Sequence, residues 1–68
     1  LQANVTIPNV VVIRRSDRVQ LLALQNQTTS ASGVLTITNA ALTAGTGVMV
    51  CGFTADGTVA GIWPVTVA

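Results

Sequence analysis

The sequence contains no histidine, glutamate, lysine or tyrosine. General acid–base catalysis depends mostly on these residue types, together with aspartate and cysteine. The glycines form no phosphate-binding loop, because Gly45 and Gly47 precede a strand pattern and such loops precede a helix. We therefore predict that the chain is not an enzyme and has no small-molecule substrate.

The sequence also lacks the usual means of stabilising a very small domain. Cys51 is the only cysteine, so no disulfide can form within the chain. Asp17 and Asp56 are the only acidic residues, too few for a structural metal site without histidine, and we predict no metal or cofactor. The 68 residues form one predicted domain, spanning 1–68. A core of this size contributes only about 3–5 kcal/mol, which favours a partner chain.

Charge is scarce: arginine and aspartate make up 7% of the chain, and none lies between Arg18 and Asp56. Threonine, asparagine, glutamine and serine supply polar groups that can be buried at an interface at lower cost than ions. We therefore predict a surface covered by copies of the chain or by a larger shell protein. Polar residues and glycines interrupt the uncharged stretch, so no membrane span is predicted. A net charge of +1 predicts no nucleic-acid partner.

Valine and threonine dominate the chain, and both favour strands. Residues 10–13 form a continuous apolar run, which is typical of a strand covered on both faces. Pro8 predicts a strand end or a sheet edge, and Asp56-Gly57 predicts a type I′ hairpin turn. A helical turn is the alternative for 19–24, and a helical turn or an irregular crossover fits 39–45. Short strands are predicted at 4–7, 10–13, 19–25, 34–38, 48–53 and 58–67. Residues 26–33 are predicted to be a loop, and the fold a small all-β antiparallel sandwich or barrel.

Residues 33–67 contain Leu35-Thr36-Ile37, then GTGVMVC from Gly45 to Cys51, then Asp56-Gly57. In this order and spacing they resemble the second half of an immunoglobulin-like domain. Gly45 and Met49 stand where that family has aspartate and tyrosine, and the family's partner cysteine and core tryptophan have no counterpart. The resemblance implies a sandwich topology and, as an alternative function, a cell-surface adhesion or recognition module outside the cell.

The composition suggests another resemblance. The chain is short, poor in charge and rich in alanine, threonine, valine and glycine, as are minor structural proteins of phage particles such as capsid decoration or cement proteins. This resemblance implies a non-enzymatic structural subunit located in a virion, bound to copies of itself or to a shell protein. A self-assembling surface-layer or fibre subunit is a further alternative.

Arg14, Arg15 and Arg18 form the only cluster of charge, together with Asp17. One interpretation is a solvated turn in which Asp17 compensates its neighbours. The other is a docking site for an acidic patch, such as Asp56 of another copy, because arginine pairs with carboxylates through two hydrogen bonds.

Four other residues are candidates for special roles. Trp63 is either a core residue or an interface anchor. The adjacent Pro64 indicates that the last strand lies at a sheet edge or leaves the sheet at that point. Cys51 is either a small buried hydrophobic residue or the site of an interchain disulfide. Asn26 begins a glycosylation triplet in a predicted loop, which makes it a better acceptor than Asn4.

Overall fold

The computed structural model describes residues 2–68, and these residues form four strands and no helix. The strands are β1 (Thr6–Arg14), β2 (Gln20–Thr28), β3 (Gly47–Phe53) and β4 (Val59–Thr66). They make one sheet with the order β2-β1-β3-β4, and every neighbouring pair is antiparallel. The predicted small all-β antiparallel fold is therefore confirmed.

β1 runs without a break through Pro8, so the prediction of separate strands at 4–7 and 10–13 is wrong. Its ladder with β2 continues on both sides of the proline, whereas its ladder with β3 begins only at Asn9. Pro8 thus lies where β1 has a neighbour on one side only, and a residue without an N–H is tolerated at such an edge. The edge position was one of the two predicted for Pro8.

β2 is a strand and not a helical turn, and it extends three residues beyond the predicted end at Gln25. The first residues of β1 supply the partner for this extension, since Thr6 pairs with Thr28 and Ile7 with Gln27. The adjacent Thr29 is 3% exposed; its hydroxyl accepts a hydrogen bond from the Val5 N–H at 2.9 Å and donates one to the Gln2 carbonyl at 2.6 Å.

Residues 30–46, which we call the cover, contain no strand, so the strand predicted at 34–38 is wrong. The alternation that suggested it is present: Leu35 and Ile37 are half-buried, whereas Val34 and Thr38 are exposed. The stretch has no ladder partner, because β2 and β3 already pair with the two sides of β1. Residues 39–45 form turns, as in the predicted irregular crossover.

The cover lies over one side of the sheet, which we call the covered face. Val10 and Val12 of β1 are 0% and 1% exposed there, and Val48 of β3 is 3% exposed. Leu35 and Ile37 of the cover line a cleft together with Val12. The ladder register places on the covered face Leu22, Leu24, Val10, Val12, Arg14, Val48, Val50, Gly52, Gly61, Trp63 and Val65. Ile7 is 6% exposed and lies on the same side, since its Cγ2 atom is 3.2 Å from the position that a Cβ of Gly52 would take.

A hairpin joins β3 to β4 at Asp56-Gly57, as predicted, but its turn is not of type I′. Only Gly57 has a positive φ, at 87°, whereas a type I′ turn needs positive φ at both central residues. The Thr54 N–H donates to the Thr58 carbonyl at 2.8 Å, and the Gly57 N–H donates to the Thr54 carbonyl at 3.0 Å. This is a three-residue loop in which glycine takes the left-handed position.

Candidate assembly surface

The second side of the sheet, which we call the open face, is largely apolar and has no charged side chain in its paired rows. Residues opposite each other in a ladder share a face, so Val11, Cys51 and Ile62 form one row across the central strands and the edge. The open face consists of Asn9, Val11, Ile13, Ala23, Gln25, Met49, Cys51, Phe53, Ile62 and Pro64. The edge strand β4 is exposed on both faces, with Ile62 of the open face 53% and Val65 of the covered face 45% exposed. The faces differ on the central strand β1, where Val10 and Val12 are 0% and 1% exposed and Val11 and Ile13 are half-buried.

The open face has an apolar centre and a polar border. Val11, Ile13 and Met49 lie on the two central strands and are half-buried. Toward β2 the face becomes polar, because Gln25 lies opposite Asn9. An apolar centre with a polar rim is the usual composition of a protein interface.

Both edges of the sheet are uncharged. β2 and β4 are the outer strands, and neither contains a charged residue. Pro64 lies in β4, which confirms the predicted edge position of the last strand. β2 has no proline, so nothing in its sequence prevents another chain from pairing with it.

The turn between β1 and β2 engages one arginine with its own aspartate. Arg14 binds Asp17 through two hydrogen bonds, Nε to Oδ1 at 2.9 Å and Nη2 to Oδ2 at 2.6 Å. Asp17 Oδ1 also accepts a hydrogen bond from the Val19 N–H at 3.2 Å. The hydrogen bonds from Arg14 are the main cause that lowers the pKa of Asp17, and the same contact raises the pKa of Arg14. Arg14 and Asp17 thus stabilise the turn between β1 and β2.

The other two arginines have no carboxylate partner among residues 2–68. Arg15 lies against Gly47, with Nη2 only 2.7 Å from the position that a Cβ of Gly47 would take. Gly47 alternates with Met49 and Cys51, so the Arg15 guanidinium lies at the end of the open face. Arg18 is exposed and has a φ of 59° in the turn.

Asp56 lies at the opposite end of the sheet. β1 and β3 are antiparallel, with Arg14 opposite Val48 and Asn9 opposite Phe53, so the turns after β1 and β3 point in opposite directions. Hydrogen bonds from the Thr54 hydroxyl and from the Thr58 N–H lower the pKa of Asp56 to about 2. The three arginines and Asp56 are therefore not brought together within one chain, and docking of Asp56 onto another copy stays a prediction.

Cys51 lies near the centre of the open face and is 6% exposed. This placement matches a small buried hydrophobic residue, while an interchain disulfide stays untested. Asn26 lies within β2 and not in the predicted loop. Its side chain is exposed and its φ is 54°, a conformation that asparagine tolerates better than most residues. Glycosylation of Asn26 stays a prediction.

Trp63 is half-buried on the covered face, where its ring takes the space of two missing side chains. Its Cζ2 atom lies 2.5 Å from the position that a Cβ of Gly61 would take, and Cζ3 lies 3.2 Å from that of Gly52. The ring also borders the cleft under the cover, which has a volume of about 310 Å³. No charged side chain lines this cleft, so it offers no charged group to orient a ligand.

No protein-family model, curated protein or solved structure matches this chain. Within residues 2–68, no three histidine, cysteine or acidic side chains are close enough together to hold a metal ion. The same residues include no helix of the length and apolarity needed to span a membrane.

The sequence singled out Arg15 but not its contact with Gly47, and it did not identify the open face. One signal for that face was present, because the apolar run at 10–13 predicted a strand covered on both sides. The structure supplies a cover for Val10 and Val12 only. Val11 and Ile13 lie on the side that no other segment of the chain buries to the same degree.

Proposed function

We propose that the chain is a non-enzymatic structural subunit of a larger protein assembly, and that this assembly is a virus or phage particle in which the chain is a minor or decoration subunit. The observation that carries the proposal is the open face. A sheet normally covers one face and presents alternating polar side chains on the other. Here the second face presents Val11, Ile13 and Met49 at its centre, and its one charged side chain is Arg15 at its end.

A contiguous apolar patch is a liability for a free monomer, because it promotes association. The edges of the sheet add to this tendency, since uncharged outer strands leave main-chain groups ready to pair with another strand. A chain whose open face and edges are covered by neighbouring subunits does not expose these association-prone surfaces. The surface thus favours a permanent assembly over an isolated soluble domain.

The arginines at the end of the sheet suit an orienting role. Arg14 is held by Asp17, whereas Arg15 and Arg18 are available to a neighbouring subunit. Exposed charges of this kind steer association and select a partner more than they add affinity. The apolar face would supply most of the affinity.

The proposal is tested by sedimentation of the purified chain over a range of salt concentrations, and by mass spectrometry of particles from the source of the chain. We expect assembly that persists at high salt, because apolar burial is not screened, and a fixed copy number per particle. A salt-insensitive monomer that no purified particle contains would contradict the proposal.

A matched pair of variants tests the orienting role. Arg15→Gln with Arg18→Gln removes the two unpaired charges, whereas Asp17→Asn with Arg14→Gln removes the internal pair. We expect the first pair to slow incorporation into particles and the second to affect mainly the turn. Equal incorporation of the wild type and the Arg15/Arg18 variant would show that these arginines have no docking role.

A further inference from the structure

We infer that the open face binds the open face of a second copy, so that two chains form a four-layered dimer whose two sheets pack as a β-sandwich, with the strands of one sheet antiparallel to those of the other. This inference deepens the proposed structural role and rests on it. It names the partner surface and the orientation, which the proposed function leaves open.

The open face is complementary to itself. A two-fold symmetric interface uses the same patch on both chains, so a charged patch would repel itself. The open face contains no charge in its rows, from Gln25 and Asn9 at one end to Met49 and Pro64 at the other. Two such faces can pack about 10 Å apart with their side chains interdigitated, as the sheets of a sandwich do.

Charge complementarity selects the relative orientation of the two copies. Arg15 lies at one end of the open face, and Asp56 lies beyond the other end. A two-fold axis parallel to the strands would place the arginine ends of both copies together. A two-fold axis across the strands places the arginine end of each copy beside Asp56 of its partner, and it does so twice.

The distances along the strands agree with this second axis. Val11 and Cys51 are direct partners, Arg15 follows Val11 by four residues, and Asp56 follows Cys51 by five in the opposite direction. At about 3.3 Å per residue of strand, the Cα atoms of Arg15 and Asp56 lie at most about 13 Å and 17 Å from the Val11–Cys51 row, because β3 ends at Phe53 and Asp56 lies in the hairpin turn. An axis through this row therefore brings Arg15 to the same height as Asp56 of the partner. Across the strands, the two residues are then about one strand spacing of 4.8 Å apart. The sheets themselves lie about 10 Å apart, so the Arg15 side chain on the open face and the Asp56 side chain must together close that gap.

The size of the face predicts the strength of the dimer. The molecule measures 28 × 25 × 18 Å, and four strands of about seven residues cover about 450 Å² in projection. Two faces bury about 900 Å², which is below the roughly 1,000 Å² of a stable specific interface and in the range of weak, transient ones. We therefore expect a reversible dimer whose population depends on protein concentration over the micromolar range.

The test is analytical ultracentrifugation of the 68-residue chain from about 1 μM to 1 mM, with a matched pair of lysine variants. Ile62 on the open face is 53% exposed and Val34 in the cover is 56% exposed, so both accept lysine at equal solvent exposure. We expect Ile62→Lys to raise the dissociation constant at least thirtyfold, because each dimer then buries two charges. We expect Val34→Lys to change it less than about twofold. Trp63 fluorescence monitors folding, since this side chain lies on the covered face.

A charge exchange tests the orientation. Arg15→Asp alone and Asp56→Arg alone should each weaken the dimer about three- to tenfold, and the double variant should recover most of the loss. Recovery supports the antiparallel arrangement, and absence of recovery in a folded double variant overturns it. Circular dichroism of each variant establishes that it is folded.

The outcomes separate this inference from the proposed function. The dimer inference is overturned if the wild-type chain stays monomeric at 1 mM. It is also overturned if Ile62→Lys and Val34→Lys weaken the dimer equally. In either case, finding the chain in particles still supports the structural role. A chain that neither dimerises nor occurs in any particle overturns both. A dimer weakened selectively by Ile62→Lys supports the inference whether or not a particle is found.

Discussion

The two faces of the sheet are built from the same strands but differ in what covers them. Val12 and Val11 are adjacent in β1, yet Val12 is 1% exposed under the cover and Val11 is only half-buried on the open face. Both faces are apolar, so composition alone does not decide which one the chain buries. Residues 30–46 decide it, because they reach one side of the sheet only. The chain therefore covers only one of the two apolar faces of its sheet.

The largest expected effect comes from the matched truncations Val12→Ala and Val11→Ala. Removing two buried methyl-sized groups from Val12 should lower the free energy of unfolding by about 2 kcal/mol, through lost burial and the cavity left behind. The same change at Val11 should cost less than about 1 kcal/mol at low protein concentration. Urea denaturation at about 1 μM measures both values.

The same denaturation, repeated at high protein concentration, tests whether a partner covers the open face. If a partner covers the open face, Val11→Ala becomes more costly as concentration rises, because association stabilises the folded state. The cost of Val12→Ala stays constant. Equal costs for the two residues at low concentration would mean that the faces do not differ as the structure shows.

The next largest effect concerns the close contact of Trp63 with Gly61 on the covered face. Gly61→Ala places a methyl group where the indole ring lies, so we expect a loss of about 1–2 kcal/mol as the ring is displaced. Ala60→Ser, at the adjacent exposed position, is the control and should change stability by less than about 0.5 kcal/mol. Thermal unfolding followed by Trp63 emission measures both.

A double variant shows whether Gly61→Ala lowers stability through a clash with the Trp63 ring or through a change in backbone conformation. Trp63→Leu removes the ring, so Gly61→Ala should then cost much less than it does in the wild type. An unchanged cost in the Trp63→Leu background would show that Gly61 is required for its backbone conformation and not for the space it leaves.

A smaller effect is expected from loosening the cover itself. Ile37 is half-buried against the cleft and Thr38 is exposed, so Ile37→Ala should cost about 1 kcal/mol and Thr38→Ala almost nothing. Ile37→Ala should also shift the Trp63 emission to longer wavelength, because water gains access to the cleft. An emission maximum that does not move would indicate that the cover does not shield Trp63.

The sequence predicted the strand content and several boundaries because these depend on local chemistry. Valine and threonine indicated strands, Asp56-Gly57 indicated the hairpin, and Pro64 indicated an edge. The errors arose where a partner strand decides the outcome. β2 reaches Thr28 because Thr6 and Ile7 pair with its end, whereas 34–38 has strand-like alternation and no partner.

The sequence predicted that the chain has an assembly surface, but it did not predict which residues form that surface. Absence of charge between Arg18 and Asp56 indicated that some surface is covered, and the apolar run at 10–13 indicated that β1 is involved. Which residues share a face depends on register, which bulges after Val12 and Gly52 shift. Arg14 and Arg15 differ because the local turn places Asp17 within hydrogen-bonding distance of Arg14.

The smallest expected effect is acid sensitivity at the end of the sheet that carries Asp56. Its folded pKa is lowered from 3.8 to about 2, mainly by the Thr54 hydroxyl and then by the Thr58 N–H. A lowered pKa means that the carboxylate stabilises the fold above the unfolded value, and that this contribution is lost as pH falls through the folded value. The free energy of unfolding should therefore decrease between about pH 4 and pH 2.

Asp56→Asn removes this titration while its amide oxygen can still accept hydrogen bonds from Thr54 and Thr58. We expect the variant to be slightly less stable than the wild type at neutral pH and less dependent on pH between 4 and 2. Asp17→Asn is the matched control at the opposite end, where the pKa of the carboxylate is also lowered, mainly by Arg14. Thermal midpoints across this range measure all three proteins. Parallel curves for the wild type and Asp56→Asn would show that the hairpin hydrogen bonds do not lower the pKa of this carboxylate in solution.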